Sequence, residues 1–320
     1  MSIGKERMEI AAQRLYKTGE LQARALDAQA RLARCTLCPR ACRVDRLAGE
    51  TGFCGVGALA HVASYGPHFG EEAPLSGTDG SGTIFFSGCN LGCCFCQNWE
   101  ISWDGDSGRE VDATDLAGIM LELQNRGCHN INLVTPSHVV PQILAALVVA
   151  VEAGLRLPVV FNCGGYESSA TLTQLAGVVD IYLADIKFWR SATAKRYAQA
   201  PGYPGRARAS LVRMHRQVGT LVLDDRRLAR SGLMIRHLLM PGLAEETAGI
   251  LNFIAAALPR DTFVNLMPQY RPCGRADDFP ELREAISGDD YRKALTLAES
   301  LGLTRLDLPD LGRLLRLPTK

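Results

Sequence analysis

The stretch Ser87–Ser102, which reads SGCNLGCCFCQNWEIS, carries the most specific pattern in the sequence. It contains three cysteines in a C-x3-C-x2-C spacing, Cys89, Cys93 and Cys96, directly after a short apolar run typical of a β-strand. Thiolates that lie close together on a glycine-containing loop can hold an iron–sulfur cluster. Three ligands leave one iron of a [4Fe–4S] cluster without a protein ligand. The spacing therefore predicts a cluster that can bind a substrate or cofactor directly.

A zinc site is the alternative interpretation of the same loop. Structural zinc takes four protein ligands, and Cys94 could in principle be the fourth. Cys93 and Cys94 are adjacent, however, and two neighbouring side chains would struggle to point at one metal. We therefore expect Cys94 to be a small core residue. We expect Phe95, just before the third cysteine, to shield the cluster from water.

Strands alternate with helices from this loop onwards. The candidate strands are short and mostly apolar: Thr83–Ser87, Ile131–Val134, Val159–Phe161, Ile181–Ala184, Met234–Leu239 and Phe263–Met267. Helical patterns lie between them near residues 112–126, 138–153, 169–177, 206–218 and 244–258. The alternation predicts an α/β fold with a parallel sheet, either open or curled into a partial barrel. In such sheets, ligands bind at the carboxyl ends of the strands.

Composition and charge exclude several classes of protein. The 320-residue chain is 47% hydrophobic, which is enough for a large core, and its formal net charge is +1. Nucleic acid is therefore not expected as a partner. No apolar run approaches the roughly 20 residues of a membrane span, and the first residues mix charges and lack a signal-peptide core. These features predict a soluble, cytoplasmic protein with no membrane association.

A second group of cysteines precedes the loop. Eight of the 11 cysteines fall between Cys35 and Cys96, and in a large chain without an export signal this indicates metal binding or catalysis rather than disulfides. Four closely spaced thiols suit zinc or an auxiliary iron–sulfur cluster: Cys35, Cys38, Cys42 and Cys54. His61 and His68 are alternative ligands, and unligated packed thiols are the remaining interpretation. We expect metal binding, because the segment has few apolar residues to organise its fold.

These patterns divide the chain into three parts. Residues 1–80 form a helical and cysteine-rich N-terminal segment, with one or two helices over residues 5–34 and irregular structure over residues 35–80. Residues 81–270 form the α/β body. Residues 271–320 form a C-terminal helical tail, which we expect to be helical around residues 281–301 and irregular afterwards.

The loop resembles the signature of the radical S-adenosylmethionine (SAM) superfamily, C-x3-C-x-aromatic-C, with Phe95 as the aromatic residue. Over roughly residues 35–300, the chain resembles the pyruvate formate-lyase activating enzyme-like branch of that superfamily. The segments that carry this resemblance are CTLCPRACRV, GETGFCG, GSGTIFFSGCNLGCCFCQNWEIS, HNINLVTPSH, FNCGGYE, DIYLADIKF, IRHLLMPG and NLMPQY.

The resemblance implies a fold and an activity. The fold is a partial (β/α)6 barrel, and the open iron would bind the amino and carboxylate groups of SAM. One-electron reduction would cleave SAM to a 5′-deoxyadenosyl radical that abstracts hydrogen from a substrate. The closest analogy is activation of a glycyl radical enzyme, and the alternatives are radical modification of another protein, peptide or small molecule, or a non-enzymatic, metal-stabilised electron-transfer module. A flavodoxin or ferredoxin would suit the cluster as electron donor.

The resemblance is weaker at the SAM amino group. Relatives carry a Gly-Gly-Glu motif after the second strand, where this chain has Thr-Pro-Ser-His. Thr135, Ser137 or backbone carbonyls could meet the amino group instead, or Ser137 could simply cap a helix. After the third strand, Asn162 and Gly164 lie where the backbone could approach SAM, or they form a tight turn.

Three further residues follow from the resemblance. Asp185 and Lys187 match an Asp-x-Lys motif in which the aspartate organises a cation beside the SAM carboxylate. The alternative roles are a turn cap for Asp185 and a solvated position for Lys187. His237 matches a residue that contacts the adenosyl group, although a lone histidine in a strand is more often a satisfied core side chain. No catalytic side chain is identified.

Overall fold

The computed structural model describes residues 9–308 of the chain. The first eight residues of the N-terminal segment, and the predicted irregular end of the tail from residue 309, lie outside the described residues.

Helices and strands alternate along most of the described chain. The helices are α1 Ala11–Lys17, α2 Glu20–Ala30, α3 Ala73–Ser76, α4 Trp99–Ser102, α5 Ala113–Asn125, α6 Val140–Glu152, α7 Ser169–Leu175, α8 Ser191–Ala198, α9 Tyr203–Val218, α10 Ala244–Ala257 and α11 Gly288–Ser300. The strands are β1 Ala60–His68, β2 Ser81–Phe86, β3 Arg109–Val111, β4 Ile131–Val134, β5 Val159–Cys163, β6 Ile181–Asp185, β7 Val222–Leu223, β8 Ala229–Leu238, β9 Phe263–Met267 and β10 Leu306–Asp307. Short 3-10 turns cover Arg31–Arg34, Arg46–Ala48, Ala276–Asp278 and Pro280–Leu282.

The six strands predicted from the sequence form a parallel sheet in chain order. They are β2, β4, β5, β6, β8 and β9, and the short β10 extends the sheet in parallel beside β9. Every crossover moves in the same direction, and right-handed crossovers then place the connecting helices on one face. A doubly wound sheet would reverse its strand order instead. The α/β prediction is confirmed, with the strand order of a partial (β/α)6 barrel.

The two faces of the parallel sheet differ in chemistry. Ile84, Leu133, Phe161 and Ile235 belong to the large apolar core shared with the helices. Strand register places polar side chains together on the opposite, interior face: Thr83, Asn132, Asn162, Asp185, Arg236 and Asn265. Because side chains alternate along a strand, each strand supplies one residue to the core and the next to the interior. The interior face is therefore the polar surface available for a site.

Two antiparallel strands that the sequence did not indicate extend the sheet. β1 pairs with β2, and β3 pairs with β1 at the edge. The prediction of irregular structure over residues 35–80 is therefore wrong for Ala60–His68. The strand lacks a clear two-residue pattern, since its first half is buried and its second half partly exposed, and it contains Gly66 and Pro67.

The segment between β1 and β2 closes the amino end of the interior. Leu75 of α3 packs against Val160, Leu183 and Met234 in a small apolar cluster on the interior face. α3 thus fills the bottom of the sheet's concave side, and the carboxyl ends of the strands lie at the opposite end. The predicted helix of the tail is confirmed by α11.

Within residues 9–308, no helix combines the length and the apolar character that crossing a bilayer requires.

Candidate cluster and cofactor site

The cysteine loop leaves the carboxyl end of β2 and packs tightly against its surroundings. Gly88 has a φ of 75°, and a Cβ at this position would lie 2.4 Å from the carbonyl oxygen of Cys54. A Cβ on Gly164, after β5, would lie 2.8 Å from Leu91 Cδ1 in the loop. Only glycine fits at Gly88, where the close atom belongs to the backbone, whereas a Cβ at Gly164 would require the Leu91 side chain to move. The loop is therefore fixed between the first cysteine segment and the end of β5.

The three loop thiols share one buried environment. Cys93 is buried, and Cys89 and Cys96 are half-buried. Burial raises the pKa of Cys89 to about 12 and also raises that of Cys93, and the neighbouring thiols add to both shifts. The Leu91 N–H donates to Cys89 Sγ at 3.4 Å. Because burial holds the Cys89 and Cys93 thiols neutral, a bound metal would have to supply the positive charge that ionises them.

Cys94 has a different environment from its neighbour. Its backbone N–H donates to the Tyr197 carbonyl at 2.8 Å, and its carbonyl accepts from the Arg275 N–H at 2.7 Å. Burial raises the pKa of the Cys94 thiol to about 11, and Cys94 in turn adds to the raised pKa of Cys93. The two backbone hydrogen bonds of Cys94 join it to α8 and to the segment after β9. These bonds support Cys94 as a packing residue.

Phe95 covers the loop on its apolar side. It is 4% exposed, and its ring lies 6.0 Å from Phe188 and 6.3 Å from Tyr270, measured between centroids. This aromatic group lies beside the thiols and limits the access of water to them.

Asp185 and Lys187 lie beside the same loop. Asp185 is the last residue of β6, on the interior face, and its Oδ2 lies 2.5 Å from Lys187 Nζ. Burial opposes the charged ammonium, but the Asp185 carboxylate outweighs it and raises the pKa of Lys187. The lysine in turn favours the ionised form of Cys93 and Cys89. A half-buried carboxylate and a half-buried ammonium therefore lie beside the thiols as a pair.

The two residues predicted after the third strand have separate placements. Asn162 is on the interior face, where its Nδ2 lies 3.5 Å from Glu71 Oε1. Gly164 backs the cysteine loop, and its carbonyl accepts a hydrogen bond from the Tyr203 hydroxyl at 2.9 Å. Tyr203 also accepts from the Lys187 N–H at 2.8 Å. Gly164 is thus held as part of the wall beside the loop and the lysine.

Ser137 is engaged by a residue that sequence reasoning missed. Its hydroxyl donates to Glu167 Oε1 at 2.5 Å, and both side chains are buried. Burial raises the pKa of Glu167 to about 7, although the hydrogen bonds from Ser137 and Cys163 oppose this. Ser137 does not cap α6, whose N-cap residue is Val139, so that alternative is wrong. Thr135 lies half-buried just beyond the carboxyl end of β4.

The structure does not place His237 in the interior. Its Nδ1 lies 2.7 Å from the Ile186 carbonyl oxygen and its Nε2 lies 2.9 Å from Thr247 Oγ1 on α10. Burial lowers the pKa of this histidine to about 4. Its neighbour Arg236 faces the interior instead, because successive strand residues point to opposite faces. Both ring nitrogens of His237 thus lie within hydrogen-bonding distance of protein groups, and its contact with the adenosyl group stays a prediction.

A buried charge cluster forms the floor of the interior, and no sequence motif indicated it. Arg236 Nε donates to Glu72 Oε1 at 2.6 Å, and Arg236 also bonds to Glu71. Asn265 Nδ2 donates to the same Glu72 oxygen at 2.8 Å. These groups come from segments more than 160 residues apart, so sequence spacing carries no signal for them.

The four earlier cysteines line a single cavity together with Arg46 and His138: Cys35, Cys38, Cys42 and Cys54. Among residues 9–308, no three or more His, Cys, Asp or Glu side chains are already arranged to hold one metal ion. A cubane cluster binds each thiolate through a different iron, so its ligand sulfurs stand farther apart than those around a single ion.

Comparison with known proteins gives one relative by sequence and several weak structural likenesses. No family model matches the chain. The uncharacterized protein MJ0674 of Methanocaldococcus jannaschii is 31% identical over 276 residues, which is 84% of this chain and 75% of the relative.

The solved structures are more distant. SuiB of Streptococcus suis bound to its precursor peptide SuiA has a TM-score of 0.47 at 13% identity over 68% of this chain. The radical SAM methyltransferase TsrM of Kitasatospora setae has a TM-score of 0.43 at 16% identity over 59%. The chain spans 45% of the SuiB chain and 36% of the TsrM chain. At these TM-scores, the likeness carries no argument about activity.

Proposed function

Starting from the premise that the chain belongs to the same family as MJ0674, we propose that it is a radical SAM enzyme. Its [4Fe–4S] cluster would be held by Cys89, Cys93 and Cys96. The observation that carries the proposal is the placement of these three thiols on one tightly packed loop, at the carboxyl end of the first parallel strand and beside the interior face. Cys94 is tied through its backbone to Tyr197 and Arg275, and we assign it to packing, so the loop offers three ligands and leaves a fourth metal position open.

The residues around the cysteine loop fit a [4Fe–4S] cluster. With SAM bound, such a cluster supplies a 5′-deoxyadenosyl radical after one-electron reduction. Asp185 would organise positive charge beside the SAM carboxylate, and Lys187 offsets the negative charge of the thiolates. Phe95 excludes water from the apolar side of the loop. Each role follows from a side chain that the structure already places next to the thiols.

The remaining SAM contacts are assigned by position. We propose that Thr135 and the backbone at Gly164 line the SAM site at the carboxyl ends of β4 and β5, and that Asn162 faces it from the interior. Ser137 holds Glu167 and therefore acts through that carboxylate rather than on SAM directly. The body over residues 81–270 would carry the site, residues 1–80 would close its floor through α3, and residues 271–320 would form the tail.

The substrate is proposed from the sequence resemblance. The segments shared with the pyruvate formate-lyase activating enzyme-like branch favour a backbone glycine of a partner enzyme, with a flavodoxin or ferredoxin as electron donor. Barrel folds host many chemistries, so radical modification of another protein, a peptide or a small molecule is the competing outcome.

Reductive cleavage of SAM is the test. The full chain is reconstituted anaerobically with iron and sulfide, reduced with dithionite and supplied with SAM, and 5′-deoxyadenosine is quantified. We expect a brown protein that forms 5′-deoxyadenosine. Cys128→Ala is the matched control, because Cys128 is a buried thiol next to the amino end of β4, away from the loop, and this variant should retain activity. A reconstituted cluster that forms no 5′-deoxyadenosine would identify an electron-transfer module instead.

A further inference from the structure

An open groove in the outer, helical layer of the fold is rich in arginine. Residues of α7, α9 and α10 line this α9 groove, and four of them are arginines of α9: Arg206, Arg208, Arg213 and Arg216. The one acidic side chain among its described lining residues is Glu167, which is 1% exposed. The chain as a whole has a formal net charge of only +1, so the α9 groove is a local concentration of positive charge.

Three of these arginines have no acidic partner among the described residues. No ion pair joins Arg206, Arg208 or Arg216 to a carboxylate there, and α9 itself contains no Asp or Glu. Other surface arginines are paired, as Arg196 of α8 is with Glu281. The positive charge of the α9 groove is therefore not neutralised within the described chain, and an anionic surface would complement it.

Two of the arginines are held in place by neutral groups. Arg213 donates from Nη1 to Ser169 Oγ at 2.8 Å and from Nη2 to Thr173 Oγ1 at 2.6 Å. The guanidinium carbon of Arg208 lies 4.4 Å from the centre of the Trp189 ring, in a cation–π contact. Hydroxyls and an aromatic ring orient a guanidinium without cancelling its charge. The arginines are thus positioned at the groove while their charge stays available to a partner.

The wall of the α9 groove is connected to the cysteine loop by aromatic side chains. Trp189, at the groove, directly follows Phe188 in the chain. The ring of Phe188 lies 6.0 Å from that of Phe95 and 5.7 Å from that of Tyr203, measured between centroids. Phe95 precedes Cys96 in the cysteine loop. A short path of packed aromatic groups therefore joins the groove to the place where we assign the cluster.

The α9 groove opens at the end of the sheet that carries the cysteine loop. Its lining residues Glu167 and Ser169 follow the carboxyl end of β5, and Trp189 follows that of β6. α9 begins beside the loop, since the Tyr203 hydroxyl accepts from the Lys187 N–H at 2.8 Å. Because α9 belongs to the outer helical layer, a protein bound in the groove would leave the interior open to SAM and substrate.

We propose that the α9 groove is the docking site of an acidic electron-carrier protein that reduces the cluster. This inference rests on the function proposed above and identifies the surface that such a carrier uses. The unpaired arginines attract the anionic carrier, and the aromatic wall brings it close to the cysteine loop. Contacts of this kind are small and short-lived, so an open groove suits them. The reduced carrier gives up one electron, which the cluster accepts, and no bond is made or broken.

Reduction of the reconstituted full chain by two donors tests the proposal. The first donor is a reduced plant-type [2Fe–2S] ferredoxin, an acidic one-electron carrier, and the second is reduced methyl viologen, a small cation that needs no docking site. Reduction is followed by the EPR signal of the reduced cluster in freeze-quenched samples. In Arg208→Glu/Arg216→Glu, reduction by ferredoxin should slow about 10- to 100-fold, and reduction by methyl viologen should match wild type.

The matched control is Arg156→Glu/Arg227→Glu, which changes the net charge by the same amount. Both arginines are exposed. They lie just before the amino ends of β5 and β8, at the opposite end of the sheet from the cysteine loop. Because these positions are far from the α9 groove, the control should be reduced by ferredoxin at nearly the wild-type rate.

Binding provides a readout that does not depend on the activity of the enzyme. Oxidised ferredoxin, titrated calorimetrically into the full chain, should bind about 10-fold more weakly to the groove variant than to the control. Its binding to the wild-type chain should weaken as the salt concentration rises, because salt screens exposed charges.

Equal ferredoxin rates in the groove variant and the control would overturn the proposal and leave the α9 groove to another acidic partner, such as the substrate protein or a nucleic acid. Equal slowing with both donors would also overturn it, because the substitutions would then act on the cluster and not on docking. A chain that takes up no cluster would overturn the function proposed above together with this inference. SAM cleavage with dithionite, combined with equal ferredoxin rates, would overturn the docking site alone.

Discussion

The two cysteine regions are held in place by different means. The loop over residues 89–96 lies within the apolar core, where Leu91 and Phe95 are buried and glycines allow close packing. The segment over residues 35–54 contributes little to that core and is held by turns with positive φ angles and by an N–H···S hydrogen bond to Cys42. The loop offers three thiols beside the interior face, whereas the segment brings four thiols to the lining of one cavity. The two groups of thiols thus differ in number and in packing.

The largest expected effect comes from single substitutions in the loop. Cys89→Ala, Cys93→Ala and Cys96→Ala should each lower SAM cleavage by at least about 1000-fold, because each removes a cluster ligand. Iron should fall in each variant. Robust formation of 5′-deoxyadenosine by any of the three would show that the ligand set is wrong.

Glu167 links the two regions electrostatically, since its carboxylate acts on both Cys38 and Cys89. Its pKa is raised from 4.5 to about 7, so the folded protein keeps the proton after the unfolded chain has lost it. The contribution of this group to stability is therefore present below about pH 4.5 and is lost as pH rises to about 7, by about 3 kcal/mol.

Glu167→Gln should remove this pH dependence while keeping an oxygen for the Ser137 hydroxyl. The difference in unfolding free energy between the variant and the wild type should grow in favour of the variant from pH 5 to pH 7, as measured by urea denaturation. A difference that is constant across this range would contradict the raised pKa.

Substitution of Lys187 tests whether the positive charge beside the loop contributes to SAM cleavage or only to assembly of the cluster. Lys187→Met removes the ammonium 2.5 Å from Asp185 and should lower SAM cleavage about 10- to 100-fold with iron retained. Lys195→Met, at an exposed position on α8, is the control and should behave as wild type. Loss of iron in Lys187→Met would assign the lysine to holding the cluster.

Cys94→Ala is the smallest change and the closest comparison with its neighbour. Because we assign Cys94 to packing, on the evidence of its backbone hydrogen bonds to Tyr197 and Arg275, iron content and SAM cleavage should be unchanged. Loss of the buried sulfur should cost about 1 kcal/mol of stability. Loss of iron from this variant would show that Cys94 is a ligand, so that the loop would have four ligating thiols.

Local patterns predicted most of the framework. Five of the six parallel strands lie within two residues of the predicted bounds, and β8 begins five residues earlier than expected. The strand β1 escaped detection because its burial changes along its length and it lacks the alternation that marks a half-buried strand. Within the site, Asp185 and Lys187 lie beside the cysteine loop, whereas His237 faces α10. Their contacts with SAM stay predictions.

Periodicity and spacing are properties of neighbouring residues, so they were sufficient to predict the parallel α/β framework and the loop of three thiols. Which strand residues face the interior could be seen only in the folded chain. Arg236 and His237 are adjacent and lie on opposite faces, and apolar packing on both sides of the sheet hides that choice from the sequence. The hydrogen-bond partners of Arg236, Glu167 and Arg46 could likewise be seen only in the folded chain. Those contacts join segments distant along the chain, and they exist only once the strand register brings the segments together.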